Sequence, residues 1–164
     1  MDTLSHGLWG GISFGRNSKK LFILAFLFGA LPDVVVFGWE FVQNSDAFFG
    51  ATPPPLEFIP NYIFGMYNIT HSLIVGLVVS MAALFLAGRS ALPILAWPLH
   101  VLFDIFSHSA EFFPTPFLWP FQTPFFDGIP WVVSWVFWSN WALIIILYGV
   151  WFITRKGNKK NVLS

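Results

Sequence analysis

The 164-residue chain has no cysteine and few charges: eight Lys plus Arg, eight Asp plus Glu, together 10% of its residues. A soluble domain carries about 25% charged residues. One of this size still exposes about 30% of its unfolded surface and needs a polar exterior to do so. The scarcity argues against a soluble enzyme, a basic nucleic-acid-binding domain and a disordered tail. The missing cysteine removes disulfides, thiolate metal ligands and a Cys nucleophile. There is no glycine-rich phosphate loop, no G-x-S-x-G, no H-E-x-x-H and no internal repeat. What is abundant is apolar: 56% hydrophobic residues and 20% aromatic, with 21 Phe and nine Trp. This composition predicts an all-α, polytopic membrane helix bundle, with residues 1–164 forming a single integral membrane domain.

A membrane-spanning helix needs roughly 20 mainly apolar residues. Residues 21–39, 72–88, 91–107 and 129–153 read as four full transmembrane helices, and 2–15 as an N-terminal partial helix. The basic stretch before the first run lacks a small-residue cleavage site and does not read as a signal peptide. The segments 40–68 and 108–128, rich in Pro, Phe and Trp, read as interfacial loops. Trp131, Trp135, Trp138 and Trp141 recur at helical spacing and read as packing and interfacial anchors.

With four spans, Arg16, Lys19 and Lys20, then Arg89, then Arg155, Lys156, Lys159 and Lys160 all fall on one face. The positive-inside rule makes that face cytoplasmic and predicts a multi-pass protein of the inner (plasma) membrane with a cytoplasmic C-terminus. Glu40, Asp46, Glu57, Glu111 and Asp127 then fall in outer loops, and Asp33 and Asp104 toward the outer ends of their spans.

Helix rise converts sequence into depth. Measured from the basic turns, Asp33 stands about 20 Å up, His100 about 15 Å, Asp104 about 21 Å, His71 about 27 Å and His6 about 15 Å. Five metal-capable side chains from separate segments thus share the outer half of the bilayer. His100 and Asp104 are four apart and share one helix face, as two ligands of one ion or a ligand and a bridging carboxylate. An ionised Asp in a span costs at least about 2.5–3.5 kcal/mol and requires a partner. A divalent cation with neutral imidazoles is one partner, and an Asp–His hydrogen bond without metal is another. For Asp33 the competing reading is a helix break at Pro32, and for His71 a span that starts on Thr70 as its cap. His108 and Glu111 read equally as solvated loop residues or as ligands.

The ordered motifs T-L-S-H-G (3–7), G-A-L-P-D (29–33), T-H-S (70–72) and H-V-L-F-D (100–104) resemble the YdjM-type family. These are inner-membrane proteins described as metal-dependent hydrolases and grouped with zinc phospholipases C and single-strand nucleases. The resemblance covers about residues 3–125. It implies that His6, Asp33, His71, His100 and Asp104 bind metal, with Asp104 bridging toward a second ion held by His6 and the N-terminal backbone. The S-H-S-A-E-F-F-P-T-P-F stretch adds His108 as a further ligand. Val35 stands where many relatives have a second acid, Met66–Tyr67–Asn68 replaces an H-R-G, and a further H-x-x-x-E pair is absent.

The resulting expectation is a zinc-dependent hydrolase with one or two Zn²⁺ or another divalent ion. Asp33 serves as ligand or general base, and the substrate is a phosphoester such as a phospholipid head group reached from the membrane. Nucleic acid is not an expected partner, because Arg89 is the only base outside the terminal groups. The competing expectations are a metal-ion or proton pathway, since intramembrane His and Asp line those too, and a non-catalytic relative with the same residues satisfied by mutual hydrogen bonds.

Overall fold

A computed structural model of the chain describes residues 1–43, 59–111, 113–121 and 125–161. The regular elements among the described residues are all helices, and three helical runs are long and apolar enough to cross a membrane: Lys19–Trp39, Leu73–Ser107 and Ser134–Arg155. Three replaces the four expected, because 72–88 and 91–107 are not two independent spans. They are α4 (Leu73–Ala87), a 3-10 turn over Gly88–Leu95, and α5 (Ala96–Ser107), continuous in sequence. Gly88, at φ +58, adopts a conformation that L side chains rarely take, and the chain reverses there. A Cβ built on Gly76 would meet Pro98 at 3.6 Å, so the two limbs lie side by side. At 15 and 12 residues the limbs are about 22 and 18 Å long, short of a bilayer core of about 30 Å.

The partial helix at the N-terminus is α1 (Thr3–Phe14), started by Asp2, whose carboxylate accepts from the Ser5 N–H at 2.9 Å. Its glycines are poor helix formers and stay because α1 lies directly on α2 (Lys19–Gln43). A Cβ on Gly10 would stand 2.4 Å from the Ala25 carbonyl oxygen, and one on Gly29 of α2 would stand 2.5 Å from that of His6. Helix α1 also packs against α5 and α6 (Ser134–Asn161), and α2 packs against α5.

Two further expectations are corrected. Pro32 does not break its helix: α2 continues past it to Gln43, so Asp33 sits on regular helix, not at an adaptable turn. Thr70 does not cap the following helix. It closes α3 (Asn61–Thr70), a helix inside the segment read as loop, and Ser72 caps α4 by accepting from the Val75 N–H at 3.2 Å. Of the acids assigned to the outer loops, Asp46 and Glu57 lie outside the described residues.

The distribution of polarity is inverted relative to a soluble domain. Phe85 is 90% exposed and Leu86 82%, while Ser5, His6, His71, Ser72, His100 and Asp104 are buried. Trp135 and Trp138 also face outward. An apolar exterior around a polar interior suits a hydrocarbon environment.

Candidate metal centre

Four helical elements deliver one cluster. Asp33 comes from the middle of α2, His71 from the joint between α3 and α4, and His100 and Asp104 from successive turns of α5. One ligand atom from each lies within 4.8 Å of all the others, and the group could hold a metal ion. His71 Nε2 is 3.3 Å from Asp33 Oδ1, 3.6 Å from Asp104 Oδ2 and 3.2 Å from His100 Nε2. His100 Nε2 is 3.6 Å from Asp33 Oδ1 and 3.0 Å from Asp104 Oδ2. A tetrahedron with metal–ligand bonds of about 2.0–2.1 Å has edges of about 3.3–3.4 Å. Five of the six edges of this group scatter around that value.

The imidazole protons are directed away from the focus. His100 Nδ1 is 2.7 Å from the Gly29 carbonyl oxygen, which only accepts, so Nδ1 carries the proton and a neutral ring leaves Nε2 bare. His71 Nδ1 lies 2.9 Å from Thr70 Oγ1, whose own proton goes to the Met66 carbonyl at 3.0 Å. Nδ1 of His71 therefore donates too, and its Nε2 is also bare. Two nitrogen lone pairs and two carboxylate oxygens then face one point with no hydrogen among them. Asp104 Oδ2 is buried with no hydrogen-bond partner, although His100 Nε2 is close. A metal ion held by this group would satisfy these acceptors.

The other oxygen of Asp104 faces a second set of groups. His6 Nε2 lies 2.9 Å from Oδ1, the Met1 nitrogen 2.6 Å, Ser107 Oγ 3.3 Å and His108 Nε2 3.5 Å. His6 and His108 thus reach the centre through Asp104 and lie outside the four-ligand group. The His6 ring stacks on His100 at 3.6 Å, and its Nδ1 is buried without a partner. Burial lowers the His6 imidazole to about 4 against the raising pull of Asp104. Burial lowers His71 as well, against its bond to Asp33. Both are neutral near pH 7, the form that ligates metal. Glu111 is exposed in the turn beyond His108.

Supporting groups missed by the sequence reading complete the shell. Thr3 Oγ1 donates to Asp33 Oδ2 at 2.8 Å, leaving Oδ1 for the focus. Tyr67 stacks on His71 at 3.9 Å and donates to the Phe113 carbonyl at 3.0 Å, an acceptor that His108 Nδ1 also reaches at 2.9 Å. Phe113 holds φ 47, a rare conformation for a residue with a Cβ. Thr3 and Thr70 sit inside the T-L-S-H and T-H-S motifs, so their position beside the ligands was the available signal. Gly29 likewise opens the G-A-L-P-D motif, whereas Tyr67 lies in no quoted motif.

Comparison with protein-family models, with curated proteins and with solved structures returned no match.

Proposed function

We propose that the chain is a membrane-embedded, zinc-dependent hydrolase that cleaves a phosphoester, with a lipid head group as its substrate class. The observation that carries this reading is the convergence of two bare imidazole nitrogens and two carboxylate oxygens on one point. His71, His100 and Asp104 offer two nitrogen donors and one oxygen donor at spacings that suit Zn²⁺, which would leave a fourth position for water beside Asp33, and no sulfur donor is available to favour a softer ion. When bound, such an ion supplies Lewis acidity toward a phosphoryl oxygen.

The chain's own residues divide the remaining work. His71, His100 and Asp104, all fully or almost fully buried, fix the position of the ion. The Asp33 side chain is 12% exposed, the most open of the four, and it marks the side from which substrate enters. Its exposed neighbours along α2, Leu31, Val34 and Val35, present apolar surface suited to an acyl chain. As water adds to phosphorus, Asp33 takes its proton and passes it to the departing alkoxide as the ester P–O bond breaks. Thr3 keeps Asp33 aimed during the transfer. His6 and the Met1 nitrogen hold Asp104 from its other oxygen, in a hydrogen-bonded arrangement that orients a ligating carboxylate, with His108 packed beside them. Because the site is reached through apolar surface, the reading belongs with the inner (plasma) membrane and a cytoplasmic C-terminus, as the basic clusters suggest.

The test is hydrolysis by the purified full chain in mixed micelles of a short-chain phospholipid. Zinc-loaded protein is expected to release the phosphorylated head group, and chelation to abolish release. Asp33→Asn is expected to lower kcat by about 10²–10⁴-fold, the range for a general base. Zinc-loaded protein with no turnover on any phosphoester head group, or an Asp33→Asn variant of unchanged kcat, would overturn the reading.

A further inference from the structure

The end of the molecule where α2 begins and α6 finishes carries a second polar feature, separate from the metal centre. Lys19 and Asp33 are about 20 Å apart along α2. At the Lys19 end, Arg16, Asn17, Trp151, Thr154 and Arg155 line an open cavity of about 330 Å³. Two guanidinium groups from opposite ends of the sequence thus share one concavity. Among the described residues neither is in an ion pair: every such contact involves Met1 or a histidine. No Asp or Glu occurs between positions 3 and 32 or between 128 and 164, so neither flanking stretch offers these arginines a carboxylate side chain. Unpaired cations that converge on one space repel each other and favour an anion between them.

The cavity is built, and its depth is defined. The Trp151 ring stacks on Phe22 at 5.8 Å and meets Tyr148 edge-on at 5.8 Å, which fixes α6 against α2. The Arg155 guanidinium lies 5.7 Å from the Trp151 ring centroid, over its face. The apolar run of α2 begins just beyond Lys20, and that of α6 ends at Ile153. The cavity therefore sits where hydrocarbon gives way to head groups, the level at which lipid phosphates lie. Asn17 adds an amide donor to the two forks, and guanidinium forks match phosphate oxygens in pairs.

We propose that this cavity binds the phosphate of an anionic phospholipid in the leaflet that meets the Arg16/Arg155 end. Basic pockets between membrane helices recognise such head groups through combined charge and hydrogen bonding.

The experiment is native mass spectrometry of the full chain released from phosphatidylcholine nanodiscs doped with phosphatidylglycerol. The wild type is expected to retain phosphatidylglycerol over phosphatidylcholine. Arg16→Gln with Arg155→Gln is expected to weaken that retention about thirty-fold, because both guanidinium contacts to the bound phosphate are lost. Lys19→Gln with Lys20→Gln removes equal charge from the same face but not from the cavity, and is expected to keep retention within a few-fold. An unchanged melting temperature in pure phosphatidylcholine nanodiscs shows that each variant is folded. Equal retention in the wild type and the arginine variant would overturn the proposal, as would equal loss in the lysine variant. Displacement of bound lipid by millimolar inorganic phosphate, or saturable phosphate binding with no lipid preference, would also overturn it by identifying a soluble anion as the ligand.

Discussion

At the scale of single residues, the chemistry of the centre depends on where four protons are not. Gly29 and Thr70 take the Nδ1 protons of His100 and His71, and this turns both Nε2 atoms toward Asp33 and Asp104. Groups that fix an imidazole tautomer typically contribute 10–100-fold to metal affinity. Thr70→Val removes the acceptor while keeping the shape. It is expected to weaken zinc binding by about that factor, whereas Thr70→Ser is expected to retain wild-type affinity in a competitive chelator titration. Equal affinity in all three proteins would mean that Thr70 does not orient His71. The four residues of the cluster were conspicuous in the sequence as carboxylates or imidazoles in or beside apolar runs, whereas His6 and His108, also expected as ligands, lie outside that group. The i, i+4 spacing placed His100 and Asp104 together. Nothing in the sequence indicated that a glycine carbonyl would select the tautomer, since that acceptor exists only once α2 and α5 are in contact.

At the scale of elements, the centre is held by the packing of α1. Helix α1 brings His6 against Asp104 and Thr3 against Asp33, yet it has only 12 residues and several glycines. It is secured on its far side by α6. Asn140 donates from Nδ2 to Ser5 Oγ at 2.8 Å and accepts the Trp9 indole proton at 2.8 Å. Tyr148 donates to the Leu8 carbonyl at 2.8 Å. Interhelical hydrogen bonds in membranes contribute about 0.6–2 kcal/mol each. Asn140→Leu is expected to destabilise the folded protein by about 1–3 kcal/mol through two lost bonds, measured by thermal unfolding in detergent. A melting temperature equal to the wild type would show that α6 does not secure α1. The sequence reading was least accurate at this scale. Proline at 32 looked like a break, but a helix surrounded by neighbours tolerates the lost N–H, and α2 runs on. The two apolar runs around Arg89 looked like separate spans because apolar length alone does not reveal a reversal at Gly88. Helix α3 was hidden in a segment whose Pro and aromatic content reads as loop.

At the scale of the whole molecule, a polar interior is enclosed by apolar helices. Arg16 and Arg155 line one cavity, which fits the sorting of basic clusters along the chain. The sparse charge that argues against a soluble protein also isolates the residues that matter: among the described residues, Asp33 and Asp104 are the only acids inside the runs long enough to cross a membrane. The Met1 nitrogen and His6 face Asp104 Oδ1 and Thr3 donates to Asp33 Oδ2, so Asp33 Oδ1 and Asp104 Oδ2 are the carboxylate oxygens left beside His71 and His100, in a group that could hold a metal ion. The most direct measurement is the zinc content of the purified full chain after loading and desalting, with His100→Ala and Asp104→Ala treated identically. The expected result is about one zinc per wild-type chain and less than about a tenth of that in either variant, both variants remaining folded. A wild-type chain that retains no divalent metal, or variants that retain as much as the wild type, would contradict the assignment of Asp33, His71, His100 and Asp104 as a metal centre.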